Sequence, residues 1–224
     1  MNLISNEDAD ILNDLFSVII LSYNNYSFLQ TCIDSVLMQA YKRIELIVVD
    51  DKSQEFDIKS VNSYISERKD SNLINFVVYQ NPVNYGTVKS INCALKKVKG
   101  KYVKLLAADD ALFNKEVLVQ AGKALQNSKN GIITSDMMKC NSALTPISIY
   151  HKPFQKKINQ FTSQEYFRRL CMRNGIVAGG VFFNAEFFEK FGFFDERYRL
   201  LEDWPTWLRL AKKGIRIEYY PLLA

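Results

Sequence analysis

The sequence predicts an α/β fold, with a mainly parallel central sheet flanked by helices, over a domain from Phe16 to the end of a 224-residue chain. Three observations predict it. Short apolar runs, several of them β-branched, alternate with stretches whose apolar residues recur at helical spacing. Such alternation argues for parallel strands with helices on both faces. Two of the runs end in paired aspartates: Ile-Glu-Leu-Ile-Val-Val into Asp50-Asp51, and Tyr-Val-Lys-Leu-Leu-Ala-Ala into Asp109-Asp110. Ligands of open α/β sheets bind outside the carboxyl ends of the strands, so the two pairs are expected to face one crevice. Four carboxylates gathered there would need a cation or hydrogen-bond donors. Finally, 48% hydrophobic and 24% charged residues suit a soluble globular protein with a substantial core.

Each element follows from a local pattern. Phe16–Leu21 is the first strand. Ser27 offers an N-cap to a helix carrying Leu29, Cys32, Ile33 and Val36. Ile44–Val49 is the second strand, and Ile58, Val61, Tyr64 and Ile65 mark the next helix. Leu73–Tyr79 is the third strand, followed by turns at Asn81-Pro82 and Asn84-Tyr85-Gly86. Val88, Ile91, Leu95 and Val98 form a helical stripe that Gly100 would close as a C-cap. Tyr102–Ala107 is the fourth strand. A helix over Lys115–Gln126 and a strand over Ile132–Ser135 complete the series. Beyond Asp136 the pattern changes, and residues 137–160 read as irregular, with Pro146 and Pro153. A helix near Gln164–Met172, the Gly175–Gly180 segment, a short helix at Ala185–Phe191, an aromatic loop and a helix with Trp207 and Leu210 follow. Residues 16–136 thus read as a nucleotide-binding half and 137–224 as a substrate-binding half. Residues 1–15 are acidic, lack the basic start of a signal peptide, and read as a leader or surface helix.

Composition excludes several classes. The net charge of +5 is mild, and basic residues cluster loosely only between His151 and Arg173, which is not a nucleic-acid footprint. Cys32, Cys93, Cys140 and Cys171 lie far apart without Cys-x-x-Cys spacing, and Cys32 and Cys93 sit in helical apolar patterns as buried thiols, which fits a reducing, cytoplasmic setting. A single histidine, His151, leaves little material for a histidine zinc site or a Ser-His-Asp triad. No apolar stretch approaches the ~20 residues that span a bilayer.

An aspartate after a strand is often a turn residue or helix cap. Two pairs in the same position relative to two strands weaken that reading. Hard oxygen ligands at Asp109-Asp110 suit Mg²⁺ or Mn²⁺ bridging a diphosphate, whereas Asp50-Asp51 suits hydrogen bonding to a nucleobase or ribose. A third acidic pair, Glu202-Asp203, precedes Pro205 at a helix start. Asp203 is therefore either a first-turn cap or a general base taking a proton from an acceptor hydroxyl.

Four segments, in order, carry a resemblance: Ser-Val-Ile-Ile-Leu-Ser-Tyr-Asn (17–24), Ile-Glu-Leu-Ile-Val-Val-Asp-Asp-Lys-Ser (44–53), Gly-Lys-Tyr-Val-Lys-Leu-Leu-Ala-Ala-Asp-Asp (100–110), and Gly-Phe-Phe-Asp-Glu-Arg-Tyr through Glu-Asp-Trp (192–204). Asn84, Gly86 and Asn92 fit a further pattern between the second and third. With these the chain resembles a family 2 glycosyltransferase of the inverting GT-A type. The resemblance implies transfer of a sugar from a nucleotide donor, usually a uridine diphosphate sugar, to an acceptor hydroxyl in surface glycan synthesis, with Mn²⁺ or Mg²⁺. Carried over by position, Ser22 and Tyr23 line the base pocket and Asp51 hydrogen-bonds the uracil. Asp109 lies near the ribose or sugar, Asp110 holds the metal and Asp203 is the base. Glu202 and Trp204 shape the acceptor and sugar pocket, and Gly179-Gly180 allow close backbone approach. Lys89 is either a phosphate or base contact or a solvated helix lysine.

The pattern also departs from the family's. Ala107 stands where many relatives have an acidic residue. The Gln-x-x-Arg-Trp motif of processive synthases is absent, which favours transfer of a single sugar. The chain stops at Tyr220-Pro221-Leu222-Leu223-Ala224, where relatives usually continue with an extra metal ligand, a lid or a membrane-contacting tail. A lipid-linked acceptor would bring Lys152, Lys156, Lys157, Arg168 and Arg169 near anionic head groups, unless they are simply a solvated surface. Two other functions remain open: a sugar-nucleotide-binding module without turnover, and a nucleotidyltransferase. The latter expects a Gly-rich basic loop after the first strand, which Ser22-Tyr23-Asn24-Asn25-Tyr26 does not supply.

Overall fold

The structure is a computed structural model and describes residues 13–224. The leader expected over residues 1–15 falls, up to residue 12, outside the described residues. The central run of β1 (Phe16–Ser22), β2 (Ile44–Asp50), β3 (Leu73–Gln80) and β4 (Tyr102–Ala107) is parallel, as expected. Between them lie α1 (Tyr26–Leu37), α2 (Ile58–Arg68) and α3 (Thr87–Leu95). Alternation along the strands divides the core into two layers. Val18, Ile20, Leu46 and Val48 face α1, α2 and α4 (Val117–Gln126). Ile19, Ile47 and Val49 face the other way, against α3 and the helices of the second half.

The second half builds the mixed part of the sheet. β5 (Ile132–Cys140) turns into β6 (Pro146–Tyr150) as an antiparallel hairpin, so part of the segment expected to be irregular is paired. After α5 (Pro153–Lys156) and α6 (Ser163–Met172), the short β7 (Val181–Asn184) inserts between β4 and β5, antiparallel to both. Then come α7 (Glu186–Phe191), α8 (Asp203–Lys212) and β8 (Glu218–Leu223), which pairs parallel with β5. The resulting order is β3-β2-β1-β4-β7-β5-β6, with β8 on β5.

Two local expectations are corrected. The first helix has Asn25 at its N-cap position, without a side-chain cap bond, and Ser27 lies inside it. Gly100 does not cap α3, which ends at Leu95 with Lys96 as its cap. The glycine instead lets the backbone approach β1, since a Cβ there would sit 2.5 Å from Ser17 Oγ and 2.6 Å from the Leu15 carbonyl oxygen.

Candidate active site

Strand register sets the site. Ser22 pairs with Asp50 across β1 and β2, and Leu21 pairs with Ala107 across β1 and β4. The two aspartate pairs therefore leave the sheet at nearly the same level. Their side chains then diverge. Asp50 accepts from the Ser53 N–H at 2.7 Å, the Ser53 hydroxyl at 2.5 Å and Gln80 Nε2 at 2.9 Å. Asp51 accepts four bonds: Asn81 Nδ2 at 2.9 Å, and the Tyr85 N–H, Gly86 N–H and Ser90 hydroxyl at 2.8 Å each. A carboxylate offers about four lone-pair sites. Asp51 is buried, and its bonds are unevenly shared, three on Oδ1 and one on Oδ2. Its task is to hold the turn that carries Asn84 and Gly86.

That turn reaches across to the second half. Gly86 has φ +81°, and a Cβ there would lie 2.8 Å from the Arg199 carbonyl oxygen, which accepts from the Val88 N–H at 3.2 Å. Arg199 donates to the Asn84 side chain. Asn92 donates to the Phe194 carbonyl at 2.9 Å and accepts from the Phe194 N–H at 3.2 Å. Residues 194–199, and with them the approach to Glu202-Asp203, are therefore pinned to α3.

Ser22 lines a cavity of about 420 Å³ with Asn24, Tyr26, Ser53, Glu55 and Phe56. Tyr26 and Phe56 meet edge to face at 6.5 Å. Tyr23 is exposed and does not line that cavity. Lys89 is also exposed, its ammonium 4.2 Å from the centre of the Tyr85 ring. Asp109 is exposed and shares with Asp110 a cavity of about 310 Å³ bounded by the β5–β6 hairpin.

Asp110 differs from both residues of the first pair. Its carboxylate takes no hydrogen bond or ion pair among the described residues, although its backbone N–H donates to the Ala107 carbonyl at 3.0 Å. Burial pushes its carboxyl above the ordinary value, the Lys104 ammonium pulls it back, and Asp109 adds to the rise. Lys104, the one lysine within the otherwise apolar β4, is a neighbour of the site that the sequence motifs do not single out. It is 1% exposed, donates to the Gly179 carbonyl, and is lowered by burial to about 8, with Asp110 and Cys32 opposing.

From the second half, Asp203 opens α8 and is 8% exposed. One oxygen accepts from the Trp204 N–H at 2.6 Å and the other from Asn174 Nδ2 at 2.5 Å. Half of its lone pairs remain. Asn174 is held in turn: its side-chain oxygen accepts from the Ile176 N–H at 3.2 Å and its carbonyl accepts from Lys152 Nζ at 3.0 Å. Lys152 thus spends its ammonium inside the fold rather than on a head group, while Lys156, Lys157 and Arg168 are exposed and Arg169 lies over the Phe161 ring. Trp204 does not line the pocket; its indole donates to the Leu170 carbonyl at 2.8 Å and ties α8 to α6.

Asp110, Glu202 and Asp203 line one cavity of about 150 Å³ with Gly179 and Trp207. Burial, and then the neighbouring Asp203, raise the Glu202 carboxyl. A Cβ at Gly179 would lie 2.7 Å from Met137 Cε and 3.7 Å from Asp110 Oδ2; one at Gly180 would lie 2.5 Å from the Ser135 carbonyl oxygen. Both glycines are thus needed for close approach, the first of them facing Asp110. No cluster of three or more His, Cys, Asp or Glu side chains that could hold a metal occurs among the described residues. Mg²⁺-type ions are usually bound by one or two carboxylates plus substrate phosphates, so a half-buried Asp110 whose carboxylate takes no hydrogen bond among the described residues fits such an ion.

Comparison with known proteins places these features in a lineage. Residues 17–191 match the family model described as "Glycosyl transferase family 2". An uncharacterised glycosyltransferase of Rickettsia prowazekii is 27% identical over 219 residues, covering 91% of this chain and 60% of that protein. The Escherichia coli protein WfaP, a UDP-Glc:alpha-D-GlcNAc-diphosphoundecaprenol beta-1,3-glucosyltransferase, is 28% identical over 210 residues, covering 91% of this chain and 72% of its own length. S. aureus TarS superimposes with a TM-score of 0.66 at 22% identity, covering 92% of this chain and 35% of that structure. The mannosyltransferase PcManGT from Pyrobaculum calidifontis, solved with GDP-Man and Mn²⁺, superimposes with a TM-score of 0.64 at 19% identity, covering 92% of this chain and 54% of that structure. The two structural likenesses show a shared fold.

Proposed function

Because the chain belongs to glycosyl transferase family 2, we propose that it moves a single sugar from a uridine diphosphate sugar to an acceptor hydroxyl, with inversion, in surface glycan synthesis. One observation carries the reading. An unpartnered carboxylate, Asp110, and a half-satisfied one, Asp203, line the same cavity at the carboxyl edge of the sheet. The first needs positive charge, and the second can take a proton.

The nucleoside fits the cavity lined by Ser22, Tyr26 and Phe56, with Tyr23 at its exposed edge. Asp109, which shares a further cavity with Asp110, would lie near the ribose or sugar, and Asp110 would hold Mn²⁺ or Mg²⁺ together with the diphosphate. When bound, the ion would neutralise charge developing on the leaving diphosphate. Asp203, oriented by Asn174, takes the proton of the acceptor hydroxyl, whose oxygen attacks the anomeric carbon on the face opposite the diphosphate. Glu202 shapes the sugar side of the cavity, and Gly179 keeps its wall close to Asp110. A module that only binds donors would have no use for a carboxylate left half-free beside the sugar.

The name of WfaP supports a lipid-linked acceptor, and with it peripheral contact at the cytoplasmic face of the inner membrane. Among the described residues no helix is long and apolar enough to cross a membrane. The exposed β6, with Ile147 and Ile149 outward, is the surface best suited to such contact. The test is calorimetric titration of UDP and UDP-sugars with and without Mn²⁺ into the wild type and Asp110→Ala. Manganese-dependent binding in the wild type, lost in the variant, is expected; undiminished manganese-dependent affinity in Asp110→Ala would remove Asp110 as the metal residue.

A further inference from the structure

Asp203 is met by the amide of Asn174, and Asn174 stands on a loop. Helix α6 ends at Met172 and the chain leaves it extended at Arg173, so no helix holds that amide in place. A side chain on a loop keeps its aim only as well as its backbone is held. The segment just after the β5–β6 hairpin, residues 152–155, braces loop residues 174–177. Lys152 Nζ donates to the Asn174 and Ile176 carbonyls, at 3.0 Å each. The Phe154 ring lies against Gly175, where a Cβ would run into it. Gln155, fully buried, accepts from the Val177 N–H at 2.8 Å and donates to the Ser135 carbonyl at 2.6 Å, which ties the loop to β5.

Lys152 is the one charged member of that brace, and taking a charge out of water to bind neutral carbonyls is costly. Burial lowers its ammonium from the ordinary value, and the Asp203 carboxylate opposes that fall. Both bonds that Lys152 makes among the described residues go to the turn that carries Asn174. The two carbonyls flank Gly175, so the turn cannot open without losing one of them. The Ile176 N–H closes the same turn on the Asn174 side-chain oxygen at 3.2 Å, and the amide nitrogen is left to donate to Asp203 at 2.5 Å. Resting on the reading of Asp203 as the base, we propose that Lys152 is a positioning residue for the transfer. It grips the 174–176 turn, and the turn holds the Asn174 amide on the carboxylate. Phe154 and Gln155 anchor the loop, whereas Lys152 sets the direction of one side chain on it. Misplacing a catalytic group by about 1 Å can cost ~10²-fold in rate, so a residue that touches no substrate can still control the step.

Two measurements test this on the wild type, Lys152→Met, Asn174→Ala and the double variant. The first needs no substrate. In a proton–nitrogen spectrum the Asn174 side-chain amide, assigned by its loss in Asn174→Ala, is expected downfield in the wild type because it donates to Asp203. In Lys152→Met it should move back toward the position of a free amide. The second is hydrolysis of UDP-glucose with Mn²⁺, in which water takes the acceptor's place. Lys152→Met should lower kcat by about tenfold, the worth of roughly one good hydrogen bond, and leave the donor KM near the wild-type value. Adding Asn174→Ala should leave the loss at about tenfold rather than the roughly hundredfold of independent effects. An unmoved amide signal, an unchanged kcat, a donor KM that rises as kcat falls, or additive losses in the double variant would each overturn the proposal. Asp203→Asn separates the two readings. If it keeps full hydrolysis, the base reading fails and takes this one with it; if it loses hydrolysis while Lys152→Met does not, only this one fails. The spectrum decides alone where hydrolysis is too slow to follow, and Lys152→Gln, the milder change, is read by the same criteria if Lys152→Met does not fold.

Discussion

Asp51, in the first half of the chain, and Asp203, in the second, are both buried carboxylates at the carboxyl edge of one sheet, yet they are used in opposite ways. Asp51 accepts four hydrogen bonds, all from the turn and helix start between Asn81 and Ser90. Asp203 accepts two, one from its own helix start and one from Asn174. The difference teaches how the two halves divide the work. The parallel half uses its acid to fix backbone, and through Gly86 and Asn92 it fixes the loop that leads to Glu202. The mixed half leaves its acid lone pairs free for chemistry. A carboxylate that takes four hydrogen bonds is held as part of the frame, and one that takes two has more room to take a proton.

The sharpest way to break that comparison is Asp203→Asn. The substitution keeps shape and removes the proton acceptor, so transfer should fall by about 10²- to 10⁴-fold. Donor affinity should stay near the wild-type value, as read by single-turnover transfer beside calorimetry. Retained transfer would show that Asp203 is as structural as Asp51 and that the two halves do not differ in this respect.

Lys104 tests the seam between the halves. It stands on β4 in the parallel half and reaches the Gly179 and Val181 carbonyls of the other half. Its pKa is lowered to about 8 by burial, against about 10.4 when unfolded. Between those values the unfolded chain binds the extra proton, so this group's contribution to stability rises with pH across about 8 to 10. Below pH 8 the buried charge is carried at a cost of up to about 3 kcal/mol. Lys104→Met removes that cost, so the variant should match or exceed the wild type in urea melts at pH 7 and lose its relative advantage at pH 10. The elevated Cys32 thiol opposes the rise in both proteins, and loss of the Lys104 charge pushes it up further in the variant, which adds to the variant's relative loss at high pH. A difference that does not change with pH would show that Lys104 does not titrate in this window.

What could be read from the sequence follows the same division. β1 to β4 are legible because each is a local apolar run flanked by turn residues, and their parallel pairing follows from the helices between them. β7 is four residues long, and its place between β4 and β5 is set by partners far away in sequence, so no local period announces it. The same holds for the site. Asp109-Asp110 and Glu202-Asp203 stand in short motifs that mark themselves. Asn174 does not, because its meaning lies in what it meets, a carboxylate 29 positions away. Asp51 shows the converse. Its motif is plain, but only the fold reveals that residues of its own half supply all four of its hydrogen bonds.

The smallest expected effect bears on how far Asp203 depends on its neighbour. Asn174 Nδ2 is the one side-chain donor to Asp203 among the described residues, and Asn174 is itself fixed by the Ile176 N–H and by Lys152. Removing that amide leaves the carboxylate ionisable but free to rotate about a single remaining bond, the one from the Trp204 N–H. Misplacement of a base costs less than its loss, so Asn174→Ala should lower kcat by about tenfold, in line with one charge-assisted hydrogen bond. The donor KM should change little, because the donor is held from the other half. A fall in donor affinity equal to the fall in kcat would mean that Asn174 shapes the donor cavity. An unchanged kcat would mean that α8 alone orients Asp203. If Asn174→Ala behaves as expected, the second half supplies both the base and the group that aims it, while the first half supplies only the frame and the donor's seat.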